Sequence, residues 1–109
     1  MTPTRADNAG IDVEVRESSP GHFEVLGSLT FASARHAAER GIRAFSASSA
    51  VSLEADLGAV RKADSAGLAV LINWLAWAAG ARRTLTLTHL PASLADLAHI
   101  SEAGPLLEP

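Results

Sequence analysis

Asp64-Ser65-Ala66-Gly67-Leu68 is the stretch on which the fold turns. It sits between an alternating segment and the most apolar run of the chain, Gly67 to Gly80. Apolar residues recur there at helical spacing, which predicts a helix over Ser65–Ala79. Asp64 or Ser65 can accept hydrogen bonds from the first free N–H groups of that helix. Gly80 is the residue type that closes helices in a left-handed turn. Ala66 and Gly67 are smaller than capping requires. They leave the Ser65 hydroxyl uncrowded and let another surface approach. A phosphate on Ser65 would meet the positive end of the helix dipole.

The helix carries a second signal. At about 100° per residue, Leu68, Leu71, Ile72, Leu75 and Ala79 cluster on one face, the stripe expected on the sheet. Val70, Asn73, Trp74 and Trp77 fall on the opposite side, where a solitary domain would place charges. Two arrangements account for the tryptophans. Their rings cover neighbouring helices, or they form a docking face, as tryptophan often does at binding hot spots. The second is the expectation here. It requires that Trp74→Ala and Trp77→Ala together leave the domain folded.

Outward from this helix the periods alternate. Ile11 to Arg16 alternates as a strand with one buried face. Ser18-Ser19-Pro20-Gly21 is a turn cluster, and a short strand follows over His22–Leu26, ended by Gly27. Thr30 can cap a helix over Phe31–Phe45 with an apolar stripe of Phe31, Ala34, Ala38, Ile42 and Phe45. Val51 to Leu57 alternates as a third strand, and Gly58 to Asp64 reads as a connection. Thr84 to Leu90 is a fourth strand. Pro91 suits the opening of a last helix over Ala92–Ala103, ended by Gly104-Pro105. Residues 1–10 read as a polar, disordered leader and 11–107 as one domain. The order β-β-α-β-α-β-α predicts an α/β fold: a mixed sheet of four or five strands with helices mainly on one face.

Composition narrows the function classes. The chain has 109 residues, one domain's worth, and 48% are hydrophobic. Net charge is −3, and no Lys/Arg cluster exceeds the pairs Arg61-Lys62 and Arg82-Arg83. Nucleic acid, whose phosphates dominate affinity, is therefore an unexpected partner. There are no cysteines, so thiol and Cys-zinc chemistry are excluded. His22, His36, His89 and His99 show no metal-ligand spacing and read as surface or strand-edge residues. No phosphate loop, nucleophile elbow or cofactor motif is present. The chain reads as non-enzymatic, and as reaching a membrane only through a partner.

Three pieces carry a family resemblance: Gly27-Ser28-Leu29-Thr30-Phe31, Asp56-Leu57-Gly58-Ala59-Val60 and Asp64-Ser65-Ala66-Gly67-Leu68. In them the chain resembles the STAS family over 11–107. Asp64 to Ala69, Trp74-Leu75, Leu90-Pro91-Ala92-Ser93-Leu94 and Leu97-Ala98 look closest to the STAS subunit of the Mla (lipid-asymmetry, toluene-tolerance) ABC transporter. The chain departs from the pattern in its less apolar third strand, Leu53-Glu54-Ala55-Asp56, in basic Arg61-Lys62 and in His89. The resemblance implies a cytoplasmic interaction module that binds the transporter's ATPase. The alternative is an anti-sigma-factor antagonist regulated by a kinase acting on Ser65. Either way the expected partner surface is Asp64, Ser65, Ala66, Gly67, Val70, Asn73, Trp74 and Trp77, with Ser65 as the contact or phosphorylation site.

Overall fold

The computed structural model describes residues 13–100, with side chains through residue 96. The predicted leader and the end of the last helix beyond residue 100 lie outside the described residues. The elements run β1 (Val13–Ser19), β2 (His22–Leu29), α1 (Ala34–Ala47), β3 (Ser52–Ala63), α2 (Ser65–Gly80), β4 (Thr84–Thr88) and α3 (Ala92–Ile100). The expected order holds throughout.

The strands form one mixed sheet in the order β1-β2-β3-β4. β1 and β2 are an antiparallel hairpin turned at Gly21, whose φ of 80° suits the turn. β2 with β3, and β3 with β4, are parallel. Because strands add in sequence order, right-handed crossovers bring α1 and α2 to the same side. Burial agrees with that layering. Phe23 and Val25, Leu53, Ala55 and Leu57, and Leu85 and Leu87 alternate inward. Between them Glu24, Glu54, Asp56, Thr86 and Thr88 stay half-exposed on the open face. The low apolarity of the third strand is thus that of a strand covered on one side.

Strand ends differ from the sequence reading for a physical reason. Gly27 does not end β2. It adopts φ 98° inside the strand, which continues to Leu29. β3 absorbs the predicted connection. Glu24 pairs with Asp56 but Leu26 with Ala59, and Gly27 pairs with Val60 but Ser28 with Lys62. Each step gains one residue on β3, and each gain breaks the period-two pattern that a strand is recognised by. At the first, Asp56 Oδ1 accepts from the Gly58 N–H at 2.8 Å. β4 stops at Thr88, before His89 at φ 56°.

α1 starts at Ala34, three residues after its predicted first residue. The expected Thr30 cap is replaced by a tight turn in which the Ser33 N–H donates to the Thr30 carbonyl at 3.0 Å. Buried Ser33 accepts from the Thr30 N–H and donates to the Ser28 carbonyl at 2.7 Å. The buried stripe of α1 is Ala37, Gly41 and Phe45, and Phe31 is outside it, 86% exposed. At the other end of α2, Gly80 is not the left-handed residue. That role falls to Arg82 at φ 60°.

The core is an aromatic cluster between α1, α2 and β2. Phe45 meets Phe23 edge-on at 5.0 Å and Trp74 edge-on at 5.3 Å. The Trp74 indole lies over Gly41, where an added Cβ would fall 2.3 Å from the ring, and its Nε1 donates to the Ala38 carbonyl at 3.4 Å. Arg83 ties the unit together. Its guanidinium donates to the carbonyls of Phe45 and Ser48 at the end of α1 and stacks 5.6 Å from the Trp77 ring.

Candidate interaction site

The first turn of α2 is built around Asp64. Its extended backbone, φ −139° and ψ −168°, is that of an N-cap. Asp64 Oδ1 accepts from the N–H groups of Ala66 at 2.9 Å and Gly67 at 3.4 Å. Its other oxygen reaches a different segment, accepting from the Phe31 N–H at 3.1 Å. The Asp64 N–H in turn donates to the Leu29 carbonyl at 3.1 Å. Of the two residues that could cap the helix, Asp64 does so, and Ser65 is left exposed at the first helical position. No described residue takes up the Ser65 hydroxyl.

Gly67 is buried, and what comes close to it belongs to the same chain. A Cβ there would fall 2.3 Å from the Leu29 carbonyl oxygen. Glycine lets α2 seat against the end of β2, a packing role in place of the expected room for a partner. Ala66 is half-buried.

The body of α2 corrects the expected docking face. Trp74 is 0% exposed and Val70 is 4% exposed, so both belong to the core. Trp77 is half-buried, its ring 5.9 Å from Phe45. The tryptophans follow the other arrangement weighed above, covering the neighbouring helix. The buried arc is Gly67, Leu68, Val70, Leu71, Trp74 and Ala78. Of the expected core stripe, Leu68 and Leu71 are buried, Ile72 and Leu75 are half-buried, and Ala79 is exposed. The helix is rotated by roughly a quarter turn from the expected setting. It carries no charge anywhere from Ser65 to Gly80, so periodicity offered no polar side to orient it. Asn73 is the one residue of the expected opposite face that is exposed. With Ser65, Ala69 and Ala76 it makes an uncharged outer strip of small residues.

Phe31 is a surface residue that the sequence reading assigned to the core stripe of α1. It is beside Asp64 through the bond just described. Ser33 held the weak signal: a serine immediately before Ala34 is an equally good helix start and releases Phe31 from the stripe.

Two histidine–carboxylate pairs mark the open sheet face. His89 Nδ1 lies 3.0 Å from Asp56 and His22 Nδ1 lies 3.4 Å from Glu54. Both histidines are exposed, as expected of surface residues. Among the described residues no group of three or more acidic or histidine side chains is arranged to hold a metal. No described helix is long and apolar enough to cross a membrane.

Comparison with known proteins gives this architecture a family. A family model described as "Mlab, STAS domain" matches residues 14–108. The chain therefore belongs to the STAS domain family, and the expectation from its motifs holds. The solved structure of the anti-sigma factor antagonist SpoIIAA in its unphosphorylated form is similar in fold. Its TM-score is 0.66 at 10% identity, over 87% of this chain and 84% of that one. A search of curated proteins finds no match.

Proposed function

We propose that this STAS domain is a non-enzymatic docking subunit that binds the cytoplasmic ATPase of a phospholipid-transport ABC system through the Ser65 end of α2. On this reading it works in the cytoplasm and meets the inner membrane only through that partner. The observation that carries the proposal is the division of labour at the helix start. Asp64 does the capping, so the exposed hydroxyl of Ser65 is left unused by the described residues. The uncharged strip Ser65, Ala69, Asn73 and Ala76 continues that surface and suits a lasting complex better than a solvated helix face. Asp64, Ala66 and Gly67 shape the surface from beneath. Trp77 contributes an edge, and Val70 and Trp74 contribute only the core. The Mla description of the matching family supports the choice of partner.

The second reading is an anti-sigma-factor antagonist with Ser65 as a kinase substrate. An uncrowded hydroxyl at a helix N-terminus favours it, since the free N–H groups and dipole there accept a phosphate without harm to the fold. The likeness to SpoIIAA adds the fold alone.

Affinity for the purified ATPase, measured for wild type, Ser65→Ala and Ser65→Asp, tests the first reading. Wild type binds, Ser65→Ala binds more weakly, and Ser65→Asp fails, with all three melting alike. Equal affinity for wild type and Ser65→Asp removes Ser65 from the interface. If Ser65→Ala binds like wild type and phosphorylation by a kinase abolishes binding, the second reading gains.

A further inference from the structure

We propose that Phe31 is the apolar anchor of this docking surface, and that the second oxygen of Asp64 is the positioning contact that aims it. The proposal rests on the docking reading above and takes the same partner. It adds the chemistry of the partner's side: an apolar pocket rimmed by carboxylates.

Phe31 is 86% exposed, and the other large exposed hydrophobic among the described residues, Val51 at 67%, lies at the opposite end of β3. An exposed ring on a loose loop would be a poor anchor, because ordering it on binding costs entropy. The backbone under Phe31 is instead held from three directions. Its own N–H donates to Asp64 Oδ2, the Leu29 carbonyl accepts from the Asp64 N–H, and Ser33 closes the turn on Thr30. The ring stands on a base bonded to Asp64, the residue before Ser65, and is thus the pre-organised aromatic that hot spots favour.

The two oxygens of Asp64 do separable things. Oδ1 alone satisfies the helix N–H groups, which is all that capping needs. Oδ2 is spare for that purpose and binds the Phe31 loop across 33 residues of sequence. One carboxylate therefore joins two segments into a single surface.

Charge gives the partner's chemistry. In 27–35 and 58–69, the segments around the ring and the serine, Asp64 is the only acid, while Arg35 and Lys62 are exposed cations. The Lys62 backbone registers with Ser28, next to the loop. A surface with an apolar tip and a cationic surround complements a pocket with an acidic rim.

The experiment measures affinity for the purified ATPase, and melting temperature, for the full chain and five variants: Phe31→Ser, Phe31→Leu, Asp64→Asn, Val51→Ser and Ser65→Asp. Phe31→Ser weakens binding by at least about tenfold with unchanged melting, and Phe31→Leu recovers most of the loss. Asp64→Asn keeps the cap, since asparagine caps as well as aspartate. With its oxygen on the helix, its amide nitrogen cannot accept from Phe31, so binding falls several-fold while melting temperature drops only slightly, by the loss of that one bond. Val51→Ser changes nothing, and raised salt weakens the wild-type complex. If Ser65→Asp loses binding and Phe31→Ser does not, the anchor is wrong and the docking reading stands. If the wild type fails to bind the ATPase, the docking reading falls and takes this proposal with it. A Phe31→Ser chain that melts early makes the ring structural and overturns the proposal too.

Discussion

The first turn of α2 and the body of the same helix are held by different kinds of contact. At the first turn, one aspartate satisfies N–H groups two and three residues away. In the body, the orientation depends on α1, more than 30 residues earlier, where Gly41 opens a slot that the Trp74 indole fills. The first kind of contact is inscribed in neighbouring residues and can be read from them. The second depends on the shape of a surface that exists only after folding. An uncharged, apolar helix declares its start but not its rotation.

Breaking the body should cost most. Trp74→Ala removes a fully buried indole that bridges Phe45 and Gly41, and should lower stability by about 3 to 5 kcal/mol in denaturant unfolding. A loss below about 1 kcal/mol would return Trp74 to the surface and restore the docking face expected from periodicity. Gly41→Ala tests the same slot from the other helix. The new methyl group meets the indole, and overpacking of this kind costs about 1 to 3 kcal/mol. A smaller ring, Trp74→Phe, should recover part of that loss in the double variant, which a cycle of the four chains would measure.

Trp77→Ala is intermediate. Its half-buried ring loses Phe45 and the Arg83 guanidinium, a cost of about 1 to 2 kcal/mol, below that of a fully buried tryptophan. Equal costs at Trp74 and Trp77 would mean that the two rings share one environment.

At the helix start the effects shrink toward Ser65. Asp64→Ala loses both the cap and the bond to Phe31 and should cost about 2 kcal/mol, with Asp64→Asn, which keeps the cap, costing about half as much. Ser65→Ala should change thermal stability by less than about 0.5 kcal/mol, because no described residue bonds the hydroxyl. A larger loss would make Ser65 a structural residue and sharpen the contrast in the opposite direction.

Other misreadings have the same origin. Phe31 fits a helical stripe in the sequence, yet Ser33 turns inward to Ser28 and starts the helix three residues later. Gly27 resembles a strand end, yet at φ 98° it sits inside a strand that goes on, opposite a β3 that gains a residue there. In the first a hydrogen bond between residues five apart, and in the second a bulge, outweighed the repeating pattern.

The sequence by itself determined the order of elements, the parallel crossovers after a hairpin, the family, and Asp64-Ser65 as a capped and exposed helix start. Those follow from period, turn residues and capping, all of which act between near neighbours. Only the tertiary structure decided which side of α2 is buried, that Gly67 packs against Leu29, and that the Phe31 loop is bonded to Asp64. Those depend on distant segments meeting. The free energy that selects among such meetings is spread over packing contacts that no single stretch of chain contains.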